Sequence, residues 1–343
     1  MDSFYGKLAE QNWTDFRLGA ASSRLLGGNH ELYSQLESVV AKSYNREAAL
    51  LFNSGYHANL GVLPALTQKG DLILSDKLNH ASIIDGIRLS EADVMRYRHL
   101  DYTHLETLLK KYRHQYRNVV IVTESVFSMD GDLVDLHALV SLKETYNTLL
   151  YVDEAHAVGI FGNKGLGLCE FQNVIGQIDV IVCPLGKAVA SYGALVVTDE
   201  LIRNLLINRS RTLIFSTALP PVQVQWSLHV WGQLPKLTER RKALRENSLW
   251  LRSQLELQGW LMPSSSHIIP VITGEVKGAI SLAEKLESYH YMTLPVRPPT
   301  VPVNQARLRL SLTSSISKQQ LLPLLSCTGE IVKHLNQQKT IQP

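Results

Sequence analysis

The sequence predicts an α/β fold, with a large domain built on a mostly parallel sheet between helices and a small C-terminal α+β domain behind it. Three observations predict it. Short apolar runs, many of them β-branched, alternate with helical stretches through the first two-thirds of the chain. The runs are hydrophobic almost throughout, so both faces need cover, which is the pattern of parallel strands. After Pro220-Pro221 the alternation stops and a long charged helical pattern replaces it.

The elements follow in order. Residues 31–49 carry Leu32, Leu36, Val39 and Val40 at helical spacing, giving an amphipathic helix with a charged outer face. LILS (72–75), VVIVTES (119–125), TLLYVDEAH (148–156), DVIVCPLG (179–186) and ALVVTDE (194–200) read as strands, with helices over 103–111 and 134–145 between some of them. A long helical pattern over 222–258 is broken by Gly232 and Pro235. Beyond Gly259 come the strand-like HIIPVI (267–272), a helix near 277–288, the run ARLRLSLT (306–313) and a last helix from about 317. The boundaries expected are an N-terminal segment over 1–40, a large domain over 41–235 and a small one over 236–343.

Composition narrows the function. The 343 residues have 34 Lys and Arg against 31 Asp and Glu, and a formal charge of +3 points to neither nucleic acid nor an anionic membrane. Three scattered cysteines form no C-x-x-C pair, so neither a disulfide framework nor a zinc knuckle is indicated. Twelve histidines include no H-E-x-x-H pair, and no metal site is expected. No apolar run reaches the roughly 18 residues of a membrane span. The start, MDSFYGKLAEQNW, lacks the basic and apolar regions of a secretory signal. The expectation is a cytoplasmic protein.

Ligands of open parallel sheets bind beyond the carboxyl ends of the strands. At those ends stand Asp153 with Glu154 and His156, the stretch from Ser125 to Asp132 with Ser128 inside it, and Lys187. Ser54-Gly55-Tyr56 lies just before a helix start. Singly each has a plainer reading. The aspartate is a cap or turn residue, the lysine a solvated loop residue, His156 a hydrogen-bonded rim residue and Gly55 a turn. Together they answer one chemical problem, pyridoxal phosphate. Its aldehyde needs a lysine amine, its pyridine nitrogen a buried carboxylate, and its phosphate the free amides of a helix N-terminus. Histidines suit the ring face and the phenolic oxygen. Other constellations fit less well. GNKGLG (162–167) lacks the dinucleotide glycine order, Gly186-Lys187 lacks the rest of a P-loop, and N-S-G lacks the leading glycine of a nucleophile elbow.

Six blocks carry a family likeness: NSGYHAN (53–59), DKLNHASIIDG (76–86), TESVFSMDGD (123–132), VDEAHAVGIFGNKGLG (152–167), LGKAVASYG (185–193) and IFSTALPP (214–221). In this order they resemble the α-oxoamine synthases, fold-type-I pyridoxal-phosphate enzymes that join an amino acid to an acyl thioester with loss of CO₂. The likeness spans roughly residues 20–315. VRPPTVPVNQARLRLSLT (296–313) is most similar to members that use L-alanine and a pimeloyl thioester. Glycine C-acetyltransferase and 5-aminolevulinate synthase, or a weakened member, are the alternatives. The resemblance implies that Lys187 forms the Schiff base and serves as base and acid at Cα. It implies that Asp153 pairs with the pyridinium nitrogen, that His156 and Ser128 lie near the phenolic oxygen, and that His80 stacks on the ring. Gly55 and Tyr56 would hold the phosphate. Ser216 and Thr217 would reach the phosphate of a neighbouring subunit in a homodimer, and Arg297 and Thr300 would line the substrate site.

Three departures stand out. Pro184 occupies a position where the family usually has a phosphate-touching threonine. Tyr33 stands where a histidine commonly precedes the L-E pair, here Leu36-Glu37. The N-terminal segment, 1–40, lacks an S-x-N-D-Y-L-G motif and reads as shortened over the active site.

Overall fold

The computed structural model describes residues 18–341, so the expectation for residues 1–17 of the N-terminal segment lies outside the described residues. The chain forms two compact units. The first runs to Val126 and resumes over Val134–Thr238, and the second comprises Phe127–Leu133 with the chain from Glu239 onward.

In the first unit the elements are α1 (Glu31–Ser43), β1 (Ala48–Phe52), α2 (Gly55–Leu66), β2 (Leu72–Asp76), α3 (Ala81–Arg88), β3 (Asp93–Tyr97) and α4 (Tyr102–Tyr112). They continue with β4 (Val119–Glu124), α5 (Leu136–Tyr146), β5 (Leu149–Asp153), α6 (Leu168–Phe171), β6 (Val180–Pro184) and β7 (Ala194–Thr198). Helices α7 (Glu200–Arg209), α8 (Arg211–Ile214) and α9 (Pro221–Gln233) complete it. The strands form one seven-stranded sheet in the order β1-β7-β6-β5-β4-β2-β3. From β6 to β3 every pairing is parallel, while β7 runs antiparallel to both β6 and β1. This is the mostly parallel sheet the apolar runs foretold. Its central strands are buried on both faces, and Phe52, Val62, Ile73, Ile83, Val122, Tyr151, Val182 and Val196 share one core.

Local chemistry fixes the helix starts. Side chains of Ser54, His80, Asp101, Asp135 and Asp199 each accept a backbone N–H in the first turn of α2, α3, α4, α5 and α7. Two strands of this first unit escaped the pattern. β1 is fully buried but comes after α1 with little turn signal, and β3 is an edge strand with mostly exposed side chains. Of the two expected breaks in the long helical stretch, Gly232 lies inside α9, while at Pro235 the α-helix does stop: a 3₁₀ turn, Leu234–Leu237, separates α9 from the next helix.

The second unit contains nearly all of α10 (Thr238–Leu257), then β8 (Ile268–Gly274), α11 (Val276–Glu287), β9 (Pro295–Val296), β10 (Ala306–Ser311) and α12 (Lys318–Ile341). Its three strands are antiparallel in the order β8-β10-β9. Residues 127–133 are bound into it. The buried Arg307 guanidinium pairs with Asp130, and Arg309 donates to the Ser128 carbonyl. Gly131, at φ +71°, sits where a Cβ would strike the Ile268 carbonyl.

Lys110 pairs with Glu106 at 2.9 Å, Lys111 lies over the Tyr112 ring, Arg241 is buried and Arg240 donates to Ser314. Among the described residues no helix is long and apolar enough to cross a membrane.

Candidate active site

The parallel register sets two carboxylates side by side. Glu124 at the end of β4 pairs with Asp153 at the end of β5, which pairs in turn with Val182 of β6. Asp153 is buried, and neutral N–H groups donate to both oxygens of its carboxylate. Oδ1 accepts from the Ala155 amide at 2.9 Å and Oδ2 from Asn59 Nδ2 at 2.8 Å. Beyond β5 the chain turns back with Ala157 and Val158 amides on the Glu154 carbonyl, presenting His156. Its Nε2 lies 3.0 Å from Lys187 Nζ.

Lys187 stands on a loop that is held at both ends. Leu185 N donates to the Gly193 carbonyl at 2.9 Å, and Ala190 N donates to the Lys187 carbonyl at 2.9 Å. Helix α9 clamps the far side, with Trp226 Nε1 donating to the Ala190 carbonyl and Gln223 to Ser191 Oγ, each at 2.9 Å. Gly159, at φ +83°, is required by the approach of this loop, because a Cβ there would lie 2.8 Å from Ala188 Cβ.

His80 begins α3. Its Nδ1 accepts from Ser82 N at 3.2 Å, and its own amide donates to Glu124 Oε1 at 2.6 Å. Its pKa is drawn below the ordinary histidine value, first by partial withdrawal from water; Asp153 opposes this, Lys187 adds to it and Asp85 opposes it. Burial, and then the charge of Asp153, pushes the Glu124 carboxyl well above the usual carboxylate range. Glu154, next to Asp153, is an anchor. It accepts from Ser125 Oγ at 2.7 Å and from the Leu168 and Cys169 amides at 3.0 and 2.6 Å.

The phosphate cradle expected at Gly55 and Tyr56 is the start of α2. Ser54 Oγ accepts the His57 amide at 3.1 Å, and the first intrahelical donor is Ala58 N, on the Ser54 carbonyl at 2.9 Å. The Gly55 and Tyr56 amides therefore precede the helical ladder, at the end where the macrodipole favours an anion. A Cβ on Gly55 would lie 2.7 Å from Pro184 Cγ, so the proline ring fills the space over this turn. Asn53 Nδ2 donates to the Thr217 carbonyl at 2.8 Å, which sets Ser216 and Thr217 beside the same turn. Tyr33, in place of a histidine, is fully buried and donates to the Leu219 carbonyl at 2.5 Å.

Lys187, His156, Asp153, His80, Gly55, Tyr56, Ser216 and Thr217 thus lie in the first unit, with the first four around the ends of β4 to β6. Ser128, Arg297 and Thr300 belong to the second. There Arg297 and Thr300 are exposed, and Thr300 N closes a turn on the Arg297 carbonyl at 3.0 Å. Sequence reasoning missed Asn59, Ser82, Glu124 and Tyr151. A signal existed for Asn59, which lies one helical turn beyond Gly55 and so shares its face.

These residues fit pyridoxal phosphate. An accessible lysine amine, a buried carboxylate that accepts from neutral N–H groups, and the Gly55 and Tyr56 amides ahead of the helical ladder of α2 are the groups its three polar ends require.

The comparisons agree with this chemistry. The family model for aminotransferase class I and II matches residues 7–326. The chain is 52% identical over 311 residues to 8-amino-7-oxononanoate synthase of Chlorobaculum parvum (strain DSM 263 / NCIMB 8327), covering 91% of this chain and 79% of that protein. The crystal structure of 8-amino-7-oxononanoate synthase from Francisella tularensis superposes with a TM-score of 0.80 at 32% identity, covering 90% of this chain and 89% of the other. A serine palmitoyltransferase from S. paucimobilis, with bound PLP–myriocin aldimine, gives 0.90 at 27% identity, covering 98% and 85%. The chain belongs to the aminotransferase class I and II family, as one of its pyridoxal-phosphate-dependent α-oxoamine synthases.

Proposed function

We propose that this protein condenses L-alanine with a pimeloyl thioester, releasing 8-amino-7-oxononanoate, CO₂ and the free thiol. The observation that carries the reading is Lys187 Nζ, on the loop after β6, at 3.0 Å from His156 Nε2, in the turn that follows the buried Asp153 at the end of β5. The sequence identity to 8-amino-7-oxononanoate synthase supports the choice of substrates. Pyridoxal phosphate, when bound, supplies an electron sink for the negative charge that develops at Cα.

The chain's own residues do the rest. Lys187 holds the cofactor aldehyde at rest, and its amine takes the Cα proton of alanine and later returns one. Asp153 faces the pyridine nitrogen and keeps a proton there. His156 would serve the phenolic oxygen, a role the family resemblance also gives to Ser128, and His80 would cover the ring. The Gly55 and Tyr56 amides bind the phosphate, with Ser216 and Thr217 completing that of the second subunit in a homodimer. Arg297 binds the substrate carboxylate, and Thr300 lies along the acyl chain.

The deciding experiment offers the purified protein L-alanine, glycine or L-serine with pimeloyl, acetyl or palmitoyl thioesters, carried on coenzyme A or on acyl carrier protein. CO₂ release for alanine with pimeloyl alone is the expected result. A preference for glycine with acetyl, or for serine with palmitoyl, would reassign the substrates.

A further inference from the structure

We propose that Asn59 is a positioning residue that ties the orientation of Asp153 to that of His80, with Ser82 as the link between them. The inference rests on the cofactor reading above and names how this chain holds two of the groups assigned there.

Asn59 lies in α2 and is almost wholly buried, and every polar group of its amide is used. Nδ2 donates to Asp153 Oδ2 at 2.8 Å and to Ser82 Oγ at 2.9 Å. Oδ1 accepts from the Tyr151 hydroxyl at 2.5 Å. A rotated amide would turn its oxygen toward the carboxylate, so this arrangement admits one orientation. Tyr151 and Asp153 lie on the same strand, two residues apart and therefore on the same face. The amide is thus latched to β5 at two points.

Ser82 carries the constraint onward. Its Oγ accepts from Asn59 and lies 2.8 Å from His80 Nδ1, which also accepts from the Ser82 amide. Because Nδ1 accepts the Ser82 amide it carries no proton, so the serine hydroxyl donates to it as well. Two donors then converge on Nδ1, which leaves the ring proton on Nε2. The backbone brings the two helices close enough for this contact. A Cβ on Gly86, one turn beyond Ser82, would strike the Asn59 carbonyl. One buried amide therefore sets the aim of a carboxylate on β5 and holds the hydroxyl that supports the imidazole at the start of α3.

The test uses holoenzyme reconstituted with pyridoxal phosphate, as wild type and as Asn59→Ala, Ser82→Ala and Tyr151→Phe. Two quantities are read: the cofactor dissociation constant by absorbance titration, and the ¹⁵N spectrum of histidine-labelled protein, with His80 assigned by its loss in His80→Gln. Wild type should show the Nε2–H tautomer at His80. Ser82→Ala keeps the backbone amide on Nδ1 but removes the hydroxyl, so it should shift the His80 Nδ1 resonance while leaving cofactor affinity within about twofold. Asn59→Ala should shift the same resonance and weaken the cofactor by about tenfold, the size of one hydrogen bond to a charged group. Tyr151→Phe should weaken it by about threefold, the smaller effect of a neutral bond. Should Asn59→Ala not fold, the His80 spectra of Ser82→Ala and the affinity of Tyr151→Phe decide the question. Wild type that binds no pyridoxal phosphate would overturn the cofactor reading and this inference with it. Normal binding by wild type, with the His80 Nδ1 resonance unmoved in Asn59→Ala or Ser82→Ala, or with cofactor affinity unchanged in Tyr151→Phe, overturns the inference alone.

Discussion

His156 Nε2 and Lys187 Nζ meet at 3.0 Å across a sequence separation of 31 residues, one from the turn after β5 and the other from the loop after β6. A lysine that shuttles a proton depends on what faces its amine. His156→Phe should keep the fold and still bind pyridoxal phosphate, yet lower kcat by about 10² or more, the usual weight of a lost acid–base partner. Steady-state kinetics on the reconstituted variant, with the absorbance maximum of the bound cofactor, check it. An unchanged kcat would remove His156 from the chemistry.

Lys187→Ala should abolish covalent attachment. In wild type, borohydride treatment and then peptide mass spectrometry should find the reduced cofactor on the peptide containing Lys187. In the variant that mass should be missing from every peptide.

Pro184 ends β6 with its ring against Gly55, where it offers neither a hydroxyl nor an N–H to an anion at the start of α2. Pro184→Thr should tighten pyridoxal phosphate binding by about three- to tenfold, the worth of one added hydrogen bond. Gly55→Ala should act in the opposite direction, since its Cβ would meet the proline ring. Equilibrium dialysis of both variants measures the two effects, and equal affinities would show that this turn does not carry the phosphate.

Glu124 supplies a pH test. Burial raises its pKa in the fold, so its neutral form is the favoured one, and its contribution is fully present below the unfolded carboxylate value near 4.5. That contribution is lost as pH rises toward the raised folded value. Glu124→Gln keeps an acceptor for the His80 amide but cannot ionise. Its stability relative to wild type should therefore grow between pH 4 and neutral pH. Urea unfolding at both ends of that window reads the difference, and a constant gap would sink the argument.

Tyr33 tests the departure at the start of the chain. Tyr33→Phe leaves the Leu219 carbonyl without its donor in a buried setting and should cost about 1–3 kcal/mol. Calorimetry should find a lower Tm, with cofactor affinity little changed.

Much of the fold and the site was legible in the sequence because parallel strands concentrate both signals, apolar runs and reactive residues at their ends. Asp153, His156 and Lys187 stand out because each lies within a few residues of the end of an apolar run, LLYV or VIVC. The residues that escaped have no such marker. Asn59 reads as an ordinary polar residue inside a helix, and only the crossing of α2 with β5 makes it a neighbour of Asp153. β3 was invisible because an edge strand with exposed side chains has no apolar run to read. Glu154 and Asp153 are adjacent in sequence and similar in chemistry. Their separation into anchor and site residue emerges only when Ser125 and the Leu168 and Cys169 amides are seen to engage the first.

The seven residues from Phe127 to Leu133 lodge in the second unit while the chain on either side stays in the first. Asp130 waits for Arg307, which lies 177 residues further along. As the chain leaves the ribosome, the small unit has its first piece long before its last and cannot close until β10 has been made. Cleavage after Thr238 would yield no self-sufficient module, because the C-terminal fragment would bury the Arg307 guanidinium without its counter-charge.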